Sequence, residues 1–152
     1  MRRVFKTHRD GISVRLSEDE RQFLLGLPEL LRAVDESPDD PAFARLHVAA
    51  YPDDVAAQAD MSEYSGSQLA EGRTTDRDRF SATIESGQAV LSPDEAESWL
   101  TVLGDSRLAL AARLGITEPG WELGTDDDPQ RMTLGFLSYL QDQLVDVLLE
   151  RL

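Results

Sequence analysis

Apolar and polar residues alternate along residues 3–16, and this pattern predicts a β-hairpin. The stretch RVFKTHRDGISVRL contains two short alternating runs joined by Asp10-Gly11, a dipeptide favoured in type I′ turns. With this dipeptide at the turn, the predicted pairs are Arg9 with Ile12, Thr7 with Val14, and Phe5 with Leu16. Successive side chains of a strand point to opposite faces. The face expected to pack inward therefore holds Phe5, Ile12, Val14 and Leu16.

The other face of the predicted hairpin is basic, and it holds Arg2, Val4, Lys6, His8, Ser13 and Arg15. In the predicted register Lys6 lies directly across from Arg15, a like-charge pair that mildly destabilises a sheet. Arg2, Lys6 and Arg15 are therefore candidate contacts to phosphate groups or to an acidic protein surface. The alternative is a solvated face, or one that covers part of an acidic body, since exposed charges usually contribute little.

Helical periodicity begins directly after the hairpin. Ser17 and Glu20 form a capping box, with Ser17 as the N-cap. Pro28 removes an amide donor within the pattern, so we expect a kink or a new helix start there. The apolar stripe of this region comprises Phe23, Leu24, Leu27, Leu31 and Val34.

The middle of the chain has weaker signals. The stretch AFARLHVAAY predicts a short helix that ends at Pro52. The following segment, up to residue 86, is weakly hydrophobic and predicts either one long solvated helix or two helices. Its few apolar anchors are Leu69, Phe80 and Ile84.

The C-terminal half contains a short predicted strand, Ala89 to Leu91, which is expected to extend the hairpin sheet. A second capping box follows at Ser92 and Glu95, with Pro93 at the first helical position. This helix is expected to reach Leu114 and to stop at Gly115. The last predicted helix begins at Asp128-Pro129. The predicted fold is mainly α, within α+β: a single domain over residues 1–152, with a hairpin in 1–16 and a helical body in 17–152.

Arg107 interrupts the apolar stripe of the helix that begins at Pro93. At about 100° per residue, one side of this helix holds Ala96, Leu100, Leu103, Arg107, Leu110 and Leu114. A guanidinium near the centre of such a stripe needs an acidic or carbonyl partner. Arg107 therefore either forms a structural ion pair or carbonyl clamp, or lies at the floor of a groove that binds an anion or a partner. Apolar residues on both sides of the helix, including Val102 and Leu108, allow a homodimer face.

Charge is distributed unevenly along the chain. The formal net charge is −14, but residues 1–16 carry +4 and the remainder carries −18. A strongly acidic body repels nucleic acid, and neither of the two clearest helices is basic. Direct reading of DNA bases by a helix is therefore disfavoured.

Motifs of catalysis and cofactor binding are absent from the sequence. The chain has no cysteine, which excludes disulfides and thiolate metal sites. His8 and His47 fall in different elements, and Asp126 to Asp128 lack the spacing of a calcium loop. No glycine-rich phosphate loop and no nucleophile elbow occurs. We therefore expect no metal and no cofactor. With neither a signal peptide nor a membrane span recognisable, the expected location is the cytoplasm.

The stretch LSPDEAESWLTVLGDSRLALAARLGI is similar to a pattern of an actinobacterial family, the domain of unknown function numbered two thousand and seventeen. The opening MRRVFKTHRDGISVRLSEDE also resembles the start of that family. The matching positions of the first stretch are Trp99, Leu100, Asp105, Arg107, Leu108, Leu110, Arg113, Leu114 and Gly115.

The resemblance implies an oxidative-stress transcriptional regulator, encoded near the ClpS protease adaptor, that acts through protein partners. A sigma factor, RNA polymerase or a Clp-system component is the partner that it implies. A cysteine-based redox switch cannot operate in this chain, and Met1, Met61 and Met132 are its only sulfur-containing residues.

We therefore expect a non-enzymatic cytoplasmic regulator that works through protein–protein contacts. One alternative is a DNA-binding regulator that uses the basic hairpin. A second alternative is a small hydrolase or ligand-binding enzyme with an unrecognised site.

Overall fold

The computed structural model describes residues 3–47, 72–115 and 129–151. In chain order the elements are β1 (Phe5–His8), β2 (Gly11–Val14), α1 (Glu18–Leu25), α2 (Leu27–Asp35), α3 (Pro41–Leu46), α4 (residues 72–85), β3 (Val90–Leu91), α5 (Pro93–Arg113) and α6 (Pro129–Glu150). Helices predominate, and the strands form an antiparallel sheet in the order β1-β2-β3. The predicted helical fold with an N-terminal hairpin is confirmed. The predicted helix end at Pro52 and the anchor Leu69 lie outside the described residues.

The hairpin forms, but the predicted register is wrong by two residues. The observed pairs are Phe5 with Val14, Lys6 with Ser13, Thr7 with Ile12, and His8 with Gly11. The turn therefore contains Arg9 and Asp10 instead of Asp10 and Gly11. A shift by an even number of residues keeps each side chain on its face, so Phe5, Ile12 and Val14 are buried as predicted.

Gly11 is needed where β3 approaches the hairpin. A Cβ atom at Gly11 would lie 1.9 Å from the carbonyl oxygen of Leu91. β3 pairs with β2 through Ile12 with Leu91 and Ser13 with Val90, which confirms the predicted third strand. The close approach of β3 therefore favours the observed hairpin register, in which Gly11 pairs with His8. The Asp10-Gly11 dipeptide alone does not predict this register.

Val4 is also buried, although the sequence pattern placed it on the outer face. The reason is that α6 lies against the start of β1. The amides of Val4 and Phe5 both donate to Gln143 Oε1 of α6, at 2.5 and 2.6 Å. The basic face of the hairpin is consequently smaller than predicted.

Helix boundaries follow their local signals closely. Both predicted capping boxes are present, Ser17 with Glu20 at α1 and Ser92 with Glu95 at α5. The helix restarts near Pro28, since α1 ends at Leu25 and α2 begins at Leu27.

Trp99 of α5 lies at the centre of the core and is 1% exposed. Its ring meets Phe5 and Phe80 edge-on, with centroid distances of 5.9 and 4.9 Å. Its Nε1 donates to Thr83 Oγ1 of α4 at 2.8 Å. The indole of Trp99 on α5 therefore contacts both the sheet and α4, and connects these three parts of the fold.

The buried side of α5 differs from the predicted stripe. It comprises Ala96, Ser98, Trp99, Val102, Leu103, Ser106 and Ala109. Leu100, Arg107 and Leu110 are only half-buried. Because α2, α3 and α6 all pack on α5, small residues such as Ser106 and Ala109 face the core where helices approach closely. Arg107 thus lies at the margin of the buried side, and Val102 is buried within the core instead of being open to a dimer partner.

Candidate functional site

The basic residues predicted on the hairpin do not form a pair. Lys6 is exposed on β1 opposite Ser13, and Arg15 is exposed just after β2. The predicted Lys6–Arg15 juxtaposition is therefore wrong. Arg15 instead borders a cleft of about 410 Å³ that Arg21 and Trp99 also line. Arg2 lies outside the described residues.

Arg107 lies away from the hairpin. Its Nη1 is 3.5 Å from Gln141 Oε1 of α6. Gln143, which binds the amides of β1, is two residues further along α6. Residues two apart point in nearly opposite directions on a helix, so Arg107 and the hairpin lie on different sides of α6. Of the predicted partner-binding residues that the structure describes, Arg107 is therefore not brought together with Lys6 and Arg15.

The residues of the family pattern mostly support the fold. Trp99 is buried, Leu100, Leu110 and Leu114 are half-buried, and Gly115 follows α5 with a φ of +72°. Leu108 differs from these, because 41% of its surface is exposed.

Arg113 of the same pattern anchors α3. Its Nε and Nη2 donate to Asp40 Oδ2 at 3.0 and 2.7 Å. Asp40 is the N-cap of α3 and also accepts from the amide of Ala42. The hydrogen bonds from Arg113, then that from Ala42, lower the pKa of the Asp40 carboxyl. This pair is therefore a structural clamp between α5 and α3.

A charged cluster, comprising Asp35, His47, Arg73, Arg77 and Asp105, joins α2, α4, α5 and the end of α3. Asp35 Oδ2 accepts from Arg77 Nη1 at 2.7 Å, and Asp35 Oδ1 lies 3.1 Å from His47 Nε2. Burial by itself raises the pKa of Asp35, but its bonds and charge interactions with Arg77 and His47 lower that pKa overall. Burial raises the pKa of Asp105, while Arg73 and Arg77 oppose this shift.

Arg77 is the least exposed cation of this cluster, since only 13% of its side chain is accessible to solvent. Its Nε and Nη2 are buried and make no hydrogen bond in the described part of the chain. Sequence reasoning did not identify the charged cluster, because α4 carries a weak apolar pattern. The spacing of Arg73 and Arg77, one helical turn apart, was the available signal.

The described residues, 3–47, 72–115 and 129–151, contain no cluster of metal-ligating side chains. Within them, no group of three or more histidine, aspartate or glutamate residues is arranged to hold a metal ion. The charged cluster instead alternates acidic and basic groups, which is typical of structural ion pairing.

Apolar grooves lie along α6, and two of them are formed by described residues. The first, the α5/α6 groove, has a volume of about 500 Å³ and an apolar floor formed by Pro93, Leu100, Val145, Leu148 and Leu149. Leu149 is 59% exposed there. The second, the α1/α6 groove, has a volume of about 410 Å³ and is lined by Phe23, Met132 and Phe136, beside Asp19 and Glu20. Met132 is 63% exposed.

These features define the class of protein: a mostly helical domain with a small antiparallel sheet and apolar grooves between surface helices. The sequence model of one family, described as Domain of unknown function (DUF2017), matches residues 1–148, so the chain belongs to that family. No curated protein and no solved structure matches the chain. Among the described residues, no helix combines the length and apolar character needed to cross a membrane.

Proposed function

We propose that this protein is a non-enzymatic regulatory protein that works by binding another protein. The observation that carries this proposal is the α5/α6 groove with its exposed Leu149. Contiguous apolar surface bordered by charged residues is typical of protein-binding sites, because burying it releases water from apolar atoms. Docking to a polypeptide would therefore use an apolar surface that is exposed in the described part of the fold.

The proposed context is stress-linked transcription regulation in the cytoplasm, as the resemblance of the sequence implies. The candidate partners are a sigma factor, RNA polymerase and a component of the Clp system. The net charge of −14 favours a protein partner over DNA, since phosphate groups would be repelled by most of the molecule.

Pairwise binding measurements test this proposal. The full chain would be immobilised and exposed in turn to purified sigma factors, core RNA polymerase and the ClpS adaptor of the same organism. We expect saturable binding to one of them, weakened about tenfold or more by Leu149→Asp, which removes a central apolar contact. Met132→Asp, on the α1/α6 groove, is the matched control and should leave the affinity within about twofold.

Two results would contradict the proposal. One is the absence of binding to every candidate partner while the protein is folded. The other is specific DNA retention that Lys6→Glu and Arg15→Glu abolish, which would support a DNA-binding hairpin instead.

A further inference from the structure

We infer that the α5/α6 groove accepts a basic amphipathic helix of the partner protein. This inference rests on the proposed function and specifies the chemistry of the partner at that same site. It follows from the shape of the groove, from its apolar floor and from the carboxylates beside it, which form no ion pair with another described residue.

The dimensions of the groove suit about two turns of helix. On α5 it extends from Pro93 to Leu100, and on α6 from Val145 to Leu149. Seven residues of helix rise by about 10 Å, which is close to two turns. The floor lies between two helices, an arrangement in which a third helix can insert side chains spaced at i, i+3, i+4 and i+7. Leu149 would supply the largest newly buried apolar surface.

One exposed carboxylate lines the groove, and three more exposed carboxylates lie one helical turn from residues that line it. Glu97 lines it directly, and Asp94 precedes Glu97 by three residues on α5. On α6, Asp142 and Asp146 precede Val145 and Leu149 by three residues each. Residues three apart are neighbours on a helix surface. The groove therefore has an acidic border on both of its helices.

None of these four carboxylates has a countercharge within the described part of the chain. Arg151, the cation that lines the groove, donates to the carbonyl oxygens of His8 and Gly11 at 2.7 and 2.9 Å. Its Nη1 is thus directed to the hairpin turn. A ligand with lysine or arginine residues beside its apolar stripe would supply the missing positive charges.

The same border argues against a second copy of this chain as the occupant. Two such grooves facing each other would bring carboxylates of both copies together, and like charges opposed across an interface are repulsive. A neutral apolar helix would leave the four carboxylates unpaired. A basic amphipathic helix would bury its apolar side chains against the apolar floor and pair its cations with the carboxylates of the border.

A fluorescently labelled model helix tests the inference. The probe is a peptide of about 18 leucine and lysine residues with leucine at i, i+3, i+4 and i+7, a length sufficient for helix formation on binding. Two control peptides have the same length: one scrambles the order, and one replaces lysine with glutamate. Fluorescence anisotropy would be measured with the full chain at about 50 and about 300 mM NaCl.

We expect saturable binding of the lysine peptide that is about tenfold or more tighter than that of either control. Leu149→Asp should weaken it about tenfold, whereas Met132→Asp should not. The double variant Asp142→Asn/Asp146→Asn should weaken binding about threefold or more and flatten the salt dependence. Asp39→Asn/Asp78→Asn removes the same charge at exposed sites away from the groove and should leave binding unchanged. Circular dichroism would confirm that each variant is folded.

Several outcomes would overturn the inference. The scrambled peptide could bind as tightly as the lysine peptide, or Leu149→Asp could leave the affinity for the lysine peptide unchanged. Met132→Asp could weaken that affinity in place of Leu149→Asp. Light scattering could also show a dimer that Leu149→Asp dissociates. If a natural partner binds through Leu149 while the lysine peptide does not, the inference fails and the proposed function stands. If neither the natural partners nor the peptide binds, both fail.

Discussion

The backbone of β3 passes so close to Gly11 that no side chain fits between them. The nearest atom to a Cβ at this position would be the carbonyl oxygen of Leu91, and the φ of +156° is itself unusual for residues with side chains. Gly11 therefore determines where the third strand can pair. The sequence pattern had assigned this glycine to the turn, because Asp-Gly is a common turn dipeptide.

Gly11→Ala is expected to destabilise the protein by about 2–4 kcal/mol, because β2 and β3 must separate to admit a methyl group. Urea unfolding followed by circular dichroism would measure the loss. Gly135→Ala is the matched control: it lies within α6 with open space around it. That variant should gain roughly 0.5–1 kcal/mol from helix propensity. Equal effects of the two changes would contradict the close approach of β3.

Thr83 provides the hydrogen-bond acceptor for the buried indole of Trp99. Thr83→Val is expected to cost about 1–3 kcal/mol, because it leaves the Trp99 Nε1 buried without an acceptor. Thr83→Ser keeps the hydroxyl and should cost less, in spite of the lost methyl group. Chemical unfolding of both variants would compare them. A larger loss for serine than for valine would show that the methyl contact matters more than the hydrogen bond.

The helices are connected by charge as well as by apolar packing. Arg113 holds the N-cap of α3, and the charged cluster joins α2 to α4 and α5. These contacts link residues far apart in the sequence, such as Asp35 and Arg77. Local patterns identify each helix, but they do not show which charged side chains meet. For this reason the capping boxes were predicted correctly, whereas the charged cluster was not identified.

Asp35→Asn should lower stability by about 1–2 kcal/mol at neutral pH, because Arg77 then loses its charged partner. The folded state lowers the pKa of Asp35. Its stabilising contribution is therefore complete above the ordinary value of 3.8 and is lost as the pH falls through the folded pKa. Urea unfolding across the acid range should show wild type and variant converging at low pH. A difference that is constant with pH would contradict the assigned ion pair.

Asp105→Asn should have the opposite pH dependence. The folded state raises the pKa of Asp105, mainly through burial, so its ionised form costs stability. The variant and wild type should have the same free energy of unfolding at low pH. As the pH rises above the ordinary pKa of 3.8 and through the raised pKa of the folded state, the variant should become more stable than wild type. Urea unfolding of the variant and wild type across the acid range measures this difference in stability. Lower stability of the variant at neutral pH would mean that the attraction of Arg73 and Arg77 outweighs burial.

Over the whole molecule, repulsion among the excess negative charges destabilises the folded state. The net charge is −14, and α6 places Asp142 and Asp146 one turn apart, with Asp146 about one turn from the C-terminal end of the helix. Like charges at this spacing repel each other, and the helix dipole disfavours anions near that end. Within the described residues neither carboxylate forms an ion pair, so nothing in that part of the fold offsets this repulsion.

Asp142→Asn/Asp146→Asn is therefore expected to stabilise the protein by roughly 0.5–1 kcal/mol at low salt. Added salt screens the repulsion, so the gain should shrink as NaCl rises to about 0.5 M. Thermal unfolding at several salt concentrations would follow this trend, with Asp39→Asn/Asp78→Asn as the control for net charge. A gain that is independent of salt would point to helix propensity instead of charge.

Short-range signals in the sequence determined the elements. The capping boxes at Ser17 and Ser92, the restart near Pro28 and the stop at Gly115 depend on contacts within one or two turns, so they could be predicted without the rest of the chain. Tertiary structure decided the hairpin register, the buried side of α5, the charged cluster and the α5/α6 groove. Each of these depends on which distant segments pack together: β3 selects the register, and the helices packed around α5 select its inner side. Packing between distant segments therefore determined where Arg107 and Leu149 lie, and so which apolar surface of the described residues is exposed.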